Sequence, residues 1–225
     1  MSALSARDGY RLWAPTYSHE TAISHIEAAL TAELTPPLFG MRLLDAGCGT
    51  GRRLRHAGAS SAVGVDLCPE MLDAGIGLGT SEPNISTLVG DVRALPLPDR
   101  SFDVVWCRLV MGHLPEVDDA YAELARVADA GARIIVTDFH PAAHAAGHRR
   151  TFRADGTVHE LEHHPHPVSR HLNAAAAAGM KLVDLRDGKI GPDVRAFYVN
   201  AGRPRLYGAH LGLPVVMAAV FRREG

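Results

Sequence analysis

Residues 43–51 read Leu-Leu-Asp-Ala-Gly-Cys-Gly-Thr-Gly, and this stretch decides the fold. A short apolar run ends in an acidic residue, three glycines follow at alternate positions, and the next segment, 52–56, is predicted to be helical. Glycine lets the backbone turn tightly and brings its N–H groups close to a ligand, so a strand, glycine turn and helix are typical of nucleotide sites in α/β sheets. The alternative is a tight turn that holds no ligand.

A second acidic residue, Asp66, ends the apolar run 62–66. A carboxylate in this position can accept hydrogen bonds from both hydroxyls of a ribose. Asp66 follows Gly47 by 19 positions, close to the spacing of about 20 in dinucleotide sites. Asp66 therefore indicates a nucleoside without choosing the cofactor, and a solvated carboxylate is the alternative.

A third segment distinguishes between cofactors. Residues 88–93 read Leu-Val-Gly-Asp-Val-Arg, and a proline-rich loop then leads to Ser-Phe-Asp-Val-Val-Trp at 101–106. Together with the glycine turn, the run 43–106 resembles the ubiquinone/menaquinone C-methyltransferase-like (methyltransferase type 11) branch of the class I methyltransferases, which use S-adenosylmethionine (SAM). The resemblance implies that Asp91 accepts from the adenine amino group and that the backbone N–H of Val92 meets a ring nitrogen.

The same resemblance extends to the N-terminal arm, where residues 10–17 read Tyr-Arg-Leu-Trp-Ala-Pro-Thr-Tyr. In similar enzymes this arm folds over the cofactor and a tyrosine reaches its carboxylate, while Ser18 stands where the family usually has Asp. Packing of the aromatic side chains against the sheet edge is the alternative. The cofactor-binding residues implied by the resemblance are Tyr17, Asp45, Gly47, Gly49, Gly51, Asp66, Leu67, Asp91, Val92 and Cys107.

Alternating strand and helix patterns predict an α/β fold with a doubly wound parallel sheet. The family resemblance implies that this sheet is the mostly parallel, seven-stranded sheet of the Rossmann-like class I methyltransferases. Ile23, Ile26, Leu30 and Leu34 recur at helical spacing, so residues 21–34 are predicted to be a helix. Continuous apolar runs predict strands at 42–45, 62–66, 85–90, 102–107 and 133–138, and a helix is predicted at 118–128. We expect one methyltransferase domain over 1–225, with arm and helix at 1–37, a SAM-binding core at 38–140 and a substrate-side region at 141–225.

The pattern changes after residue 140. Asp155-Gly156 between two short β-prone runs predicts a hairpin inserted over the carboxyl edge of the sheet. A helix is predicted at 168–178 and a strand at 182–185. The last strand is predicted at 215–221, and the family resemblance makes it antiparallel and places it near the sheet edge.

Composition limits the partners. Net charge is −2, and without a run of Lys or Arg a nucleic-acid partner is not expected. The pairs Arg149-Arg150 and Arg222-Arg223 are expected to be solvated. The first residues lack the apolar stretch of a signal peptide, and no apolar run is long enough to span a membrane. In such a chain, an odd number of cysteines, here three, predicts reduced thiols and a cytoplasmic location.

The chain contains 13 histidines, and eight of them lie between positions 140 and 171. Methyl transfer needs an aligned acceptor and, for some acceptors, a base, a role that suits histidine. His113 and His140 follow the fourth and fifth strands and are the candidate bases, ahead of His166 and His171. His140, His144 and His148 would share one face of a helix, but no complete ligand set accompanies them, so no metal is predicted.

The predicted function is methyl transfer from SAM to an O, N or C nucleophile of a small, partly apolar molecule. A nicotinamide-dependent oxidoreductase and a non-catalytic SAM-binding protein are the alternatives. Neither the acceptor nor the oligomeric state follows from the sequence.

Overall fold

A computed structural model describes residues 3–77 and 83–225. Nine strands and eight α-helices lie in this part of the chain. The strands are β1 Arg42–Ala46, β2 Ser61–Asp66, β3 Ile85–Val89, β4 Phe102–Arg108, β5 Ala128–Phe139, β6 Thr151–Ala154, β7 Thr157–Glu160, β8 Met180–Lys189 and β9 Pro214–Arg223. The helices are α1 Ala6–Trp13, α2 Ala22–Leu34, α3 Pro69–Gly77, α4 Asp118–Val127, α5 Pro141–Ala145, α6 Val168–Ala177, α7 Arg195–Asn200 and α8 Pro204–His210.

Seven of the strands form one sheet in the order β3-β2-β1-β4-β5-β9-β8. β1 to β5 pair in parallel, and β9 runs antiparallel between β5 and β8. The doubly wound, mostly parallel class I methyltransferase fold predicted from the sequence is therefore confirmed. The predicted antiparallel last strand is confirmed as well, because β9 pairs with both of its neighbours in that direction.

Both faces of the central strands are buried, which explains their continuous apolar sequence. Leu44 and Val105 belong to the core on one face, whereas Leu43 and Val104 belong to the core on the other. Successive side chains of a strand point to opposite faces, so a strand covered by helices on both sides needs apolar residues at every position.

The helix predicted at 21–34 is present as α2. Thr21 caps its N-terminus in a reciprocal pair of hydrogen bonds with Ser24, which satisfies two backbone donors at the helix start. The helix ends at Leu34, just before Pro36-Pro37. Its buried residues include Glu27 and Thr31, which an apolar periodicity does not predict.

The prediction of a helix at 52–56, directly after the glycine turn, is wrong. Residues 52 and 53 form a turn, and only a short 3₁₀ helix, Leu54–His56, follows. Gly58, with φ 71°, ends this segment. Only about six residues lie between Gly51 and Gly58. The first turn of an α-helix is entropically unfavourable, and so short a segment adds too few further hydrogen bonds to offset that cost.

The predicted hairpin is present as β6 and β7, which pair in antiparallel register. Asp155 and Gly156 have φ values of 47° and 76°, as a two-residue hairpin turn of the primed type requires. The hairpin packs on the N-terminal arm: Trp13 stacks on Phe152 with ring centroids 4.9 Å apart. The arm and the hairpin therefore form one layer above the carboxyl end of the sheet.

The helix predicted at 168–178 is present as α6, and the strand at 182–185 is the centre of β8. No described helix combines the length and apolar character needed to cross a membrane.

Candidate active site

The carboxyl ends of β1, β2 and β4, together with the segment after β3, line a cleft with an empty volume of about 1020 Å³ that opens to solvent. We call it the cofactor cleft. The fold brings most of the predicted site residues to it. Those that line it are Tyr17, Asp45, Gly47, Gly49, Asp66, Leu67, Asp91, Val92 and His113.

The glycine turn forms the floor of the cofactor cleft. The backbone N–H groups of Gly47 and Cys48 both donate to the carbonyl of Val65, which ties the turn to the end of β2. Gly47 has a φ of 86°, and a Cβ added there would lie 2.2 Å from the side chain of Val110. Only glycine meets both requirements, so the local motif follows from backbone conformation and close packing.

Asp66 holds the glycine turn at the end of β2. Its Oδ2 accepts a hydrogen bond from the N–H of Gly49 at 2.7 Å, and its Oδ1 accepts from the N–H of Cys68 at 2.9 Å. Burial raises the pKa of Asp66, although the backbone donors act in the opposite direction. A carboxylate has about four lone-pair sites, so Asp66, which lines the cleft, can accept further donors besides these backbone groups.

Asp45 is 2% exposed and its Oδ1 has no hydrogen-bond partner among the described residues. Burial raises the pKa of Asp45 to about 6. A buried carboxylate oxygen without a donor is costly, so a cationic or N–H donor entering the cleft would stabilise this group.

A buried ion pair lies beside Asp45. Arg108, at the end of β4, donates from Nε to Oε1 of Glu27 at 2.8 Å, and a second hydrogen bond joins the other nitrogen and oxygen. The two side chains are 9% and 4% exposed. Both residues line the cofactor cleft, so α2 contributes a charged, rigid wall that sequence periodicity did not reveal.

Asp91 lies at the other end of the cleft and is half-exposed. Arg93 pairs with both of its carboxylate oxygens, with the shortest contact at 2.5 Å, and these hydrogen bonds lower the pKa of Asp91. The carboxylate is therefore ionised, as an acceptor of an amino group requires.

His113 belongs to a chain of hydrogen bonds at the mouth of the cleft. Its Nδ1 lies 3.3 Å from the carbonyl of Glu162, and its Nε2 lies 3.0 Å from the hydroxyl of Tyr10. Because a carbonyl only accepts, Nδ1 carries the proton and Nε2 accepts from Tyr10. Burial, followed by the charge of Arg150, holds the pKa of His113 well below its usual value.

Arg150 completes this chain, donating from Nη2 to the hydroxyl of Tyr10 at 2.8 Å. The sequence prediction of a solvated arginine pair is wrong here, because Arg150 is partly buried whereas Arg149 is exposed. Tyr10 and Arg150 are 140 positions apart, so no local pattern could have joined them.

His140, the other candidate base, lines neither the cofactor cleft nor the second cleft, which adjoins it. Its Nδ1 accepts from the N–H of Ala142 and caps α5, and its Nε2 is 3.6 Å from Asp187. The lower-ranked candidates His166 and His171 are buried in the core.

The alignment of three histidines on one helix is not formed, because α5 ends at Ala145 and His148 instead faces His210. Within residues 3–77 and 83–225, no group of three or more His, Cys, Asp and Glu side chains is arranged to hold a metal ion.

Two predicted cofactor residues do not line the cleft. Cys107 is fully buried in the core, and Gly51 turns the backbone behind the cleft with its N–H donating to the carbonyl of Cys48. Their direct contact with a cofactor stays a prediction.

A second cleft, with an empty volume of about 720 Å³, adjoins the first, and we call it the acceptor cleft. The two clefts share Tyr17, Ser24, Arg52 and Leu109 in their walls. Phe139 and Arg150 line only the acceptor cleft. Two connected spaces on one side of the sheet can hold two ligands in contact.

Comparison with known proteins identifies the family. The model of the methyltransferase domain family matches residues 44–162. The chain belongs to the methyltransferase family. This confirms the family predicted from the motifs around Gly47, Asp66 and Asp91.

The methyltransferase is similar to the ubiquinone/menaquinone biosynthesis C-methyltransferase of Dinoroseobacter shibae, with 38% identity over 46% of this chain and 44% of that protein. It is also similar to the malonyl-[acyl-carrier protein] O-methyltransferase of Erwinia billingiae, with 30% identity over 75% of this chain and 64% of that protein. The first of these relatives confirms the predicted branch. The chain spans less than two thirds of the length of both.

The fold of the methyltransferase is that of a solved SAM-dependent methyltransferase from Mesorhizobium loti. The TM-score is 0.68 at 22% identity, and the match covers 88% of this chain and 98% of that structure.

Proposed function

We propose that this methyltransferase transfers a methyl group from SAM to an O, N or C nucleophile of a small, partly apolar molecule. The observation that carries the proposal is the convergence of the glycine turn, Asp45, Asp66 and Asp91 on one cleft. We infer that residues 1–225 act together as one domain, because the arm lines the same cleft as the core.

The residues present fit the cofactor. The unpartnered Oδ1 of Asp45 would accept from the amino group of the amino-acid part, and Gly47 leaves the space that this part needs. Asp66 would accept from the ribose hydroxyls and the ionised Asp91 from the adenine amino group. Among the other predicted contacts, Tyr17, Leu67 and Val92 line the same cleft.

When bound, SAM supplies an electrophilic methyl group on a sulfonium, which leaves as a neutral thioether. The protein must therefore hold the acceptor in line with that methyl group and exclude water. Tyr17 and Leu109 lie in the walls of both clefts, so they border the path between cofactor and acceptor.

An acceptor O–H or N–H loses its proton as the new bond to carbon forms. His113 is the candidate base that lines the cleft, and its accepting Nε2 is already bonded to the hydroxyl of Tyr10. A proton that the acceptor gives to the Tyr10 oxygen would displace the phenolic proton onto Nε2 of His113. Glu162 would hold the resulting imidazolium through Nδ1.

The relatives include C-, O- and N-methyltransferases, namely the ubiquinone/menaquinone and malonyl-[acyl-carrier protein] enzymes and the ajmaline N-methyltransferase of Rauvolfia serpentina. These relatives thus support methyl transfer in general, and they do not identify the acceptor. The properties of the cleft bear on the acceptor instead.

Calorimetry with SAM, S-adenosylhomocysteine (SAH) and NADH tests the proposal. We expect SAM and SAH to bind and NADH not to bind. Methyl-labelled SAM and a panel of phenols, amines and acids should then yield labelled product. Binding of NADH alone would contradict the cofactor, and SAM binding without turnover on any acceptor would favour a non-catalytic protein.

A further inference from the structure

The acceptor cleft contains an excess of positive charge. Among the described residues, its wall contains Arg52, Arg149 and Arg150 and neither Asp nor Glu. Two of these arginines are neutralised nearby: Arg52 lies 3.1 Å from Glu20, and Arg149 lies 4.0 Å from Glu160.

Arg150 differs from the other two arginines. It has no carboxylate partner within 4.0 Å among the described residues, and its nitrogens Nη1 and Nη2 donate to the carbonyl of Leu109 and the hydroxyl of Tyr10. A guanidinium has five N–H donors. Arg150 is partly buried, and the buried Asp138 acts on its charge only from beyond ion-pair distance. A positive charge held away from water without a carboxylate in contact is costly, and a ligand carboxylate would reduce that cost.

Four apolar side chains share the acceptor cleft with hydroxyl and imidazole groups. The apolar ones are Trp13, Ile23, Leu109 and Phe139. Trp13 comes from the arm and is held by its stacking on Phe152, whereas the other three come from α2, the segment after β4 and β5. An occupant of the cleft would thus contact both Arg150 and apolar side chains.

We propose that the methyl acceptor is a small acid with an apolar body, and that its carboxylate binds the guanidinium of Arg150. The planar fork of an arginine matches a carboxylate and can form two parallel hydrogen bonds to it. This assignment rests on the proposed function, since it takes the acceptor cleft as the site of the second substrate. Arg150 is a specificity residue in this view.

A second contact connects Arg150 to the proposed proton transfer through Tyr10 and His113. Arg150 donates to Tyr10, and Tyr10 bonds to Nε2 of His113. After burial, the charge of Arg150 is the strongest influence that lowers the pKa of His113. A carboxylate bound at Arg150 would offset this charge, so binding of the acid would make His113 a better proton acceptor.

Titration calorimetry with 3-phenylpropanoate and octanoate, each compared with its primary amide, tests the assignment. Each titration is performed with free and with SAH-saturated protein. We expect both acids to bind the parent protein at least 10-fold more tightly than their amides. Arg150→Gln should remove this difference, and Arg150→Lys, which keeps the charge without the fork, should retain part of it.

Arg153→Gln is the matched control, because Arg153 is an exposed arginine in the adjacent strand β6 and does not line the acceptor cleft. It should bind the acids as the parent does. Circular dichroism and thermal unfolding establish that each variant is folded.

Three results would overturn the assignment: equal binding of acids and amides, no binding of either acid, or parental acid affinity in Arg150→Gln. A loss of SAH affinity in Arg150→Gln would instead place Arg150 in the cofactor cleft and also overturn it. Failure of the parent protein to bind SAH contradicts the proposed function separately, because acid and amide are also compared without SAH.

Discussion

The hydroxyl of Tyr10 lies 3.0 Å from Nε2 of His113. Tyr10 belongs to α1 in the N-terminal arm, and His113 follows β4 in the central sheet. This contact therefore joins the arm to the sheet at the mouth of the cofactor cleft. Tyr10 and Tyr17 both line this cleft, so the arm forms part of its wall.

Removal of the Tyr10 hydroxyl should destabilise the protein. In Tyr10→Phe, Nε2 of His113 and one N–H of Arg150 lose their shared partner in a buried site, a change that costs about 1–3 kcal/mol. Urea unfolding measures the difference. Tyr207→Phe is the control, because the Tyr207 hydroxyl makes no hydrogen bond among the described residues, and it should unfold like the parent. Equal stability of both variants would contradict this account of the Tyr10 bridge.

Loss of the Asp66 carboxylate should weaken SAH binding. In Asp66→Ala the ribose hydroxyls would face no acceptor in a desolvated site, which costs about 1–3 kcal/mol and corresponds to roughly 10- to 100-fold in Kd. Calorimetry with SAH measures this, with the exposed Asp119→Ala as the control. Unchanged affinity in Asp66→Ala would remove Asp66 from the site.

SAH binding should depend on pH through Asp45. The pKa of Asp45 is about 6 because of its burial, so the carboxylate is largely protonated at pH 5 and ionised at pH 7. A cationic amino group binds the ionised form, so affinity should rise by about tenfold over this interval. Asp45→Asn cannot ionise and should lose most of this dependence. The same pH profile in both proteins would show that Asp45 does not bind the amino group.

The buried pair of Glu27 and Arg108 should contribute strongly to stability. Glu27→Gln leaves the Arg108 charge without its partner. For a buried pair this lowers the free energy of unfolding by about 3–5 kcal/mol. Asp118→Asn breaks an exposed pair with Arg170 and should cost at most about 1 kcal/mol. Urea unfolding of both variants compares them. Similar small effects in the two would show that burial does not govern the Glu27 pair.

The two candidate bases should behave differently in catalysis. His113→Ala should lower the single-turnover rate by about 10²–10⁴-fold, while SAH affinity stays the same because His113 touches none of the acidic residues assigned to the nucleoside. His140→Ala should retain the parental rate, because His140 caps α5 and lines neither cleft. Parental rates in both variants would leave positioning of the acceptor as the whole mechanism.

Local sequence was sufficient to predict the sheet and the gathering of the glycine turn and two acidic residues at one cleft. Gly47 and Asp91 follow strands and Asp66 ends one. The carboxyl ends of parallel strands meet at one edge of a sheet, so the convergence of these residues could be predicted from the sequence. The conformation of the segment after the glycine turn could not be predicted in this way, because Gly58 ends the segment before an α-helix forms.

The sequence by itself determined the family and the doubly wound sheet. It also determined that acidic residues at strand ends line the cofactor cleft. These features depend on short-range sequence pattern and on backbone conformation. Only the tertiary structure decided which cationic and titratable side chains lie in contact. Tyr10, His113 and Arg150 come from the arm, the end of β4 and the segment before β6, and no spacing in the chain connects them. Their burial and their hydrogen bonds exist only once the arm and the hairpin pack above the sheet.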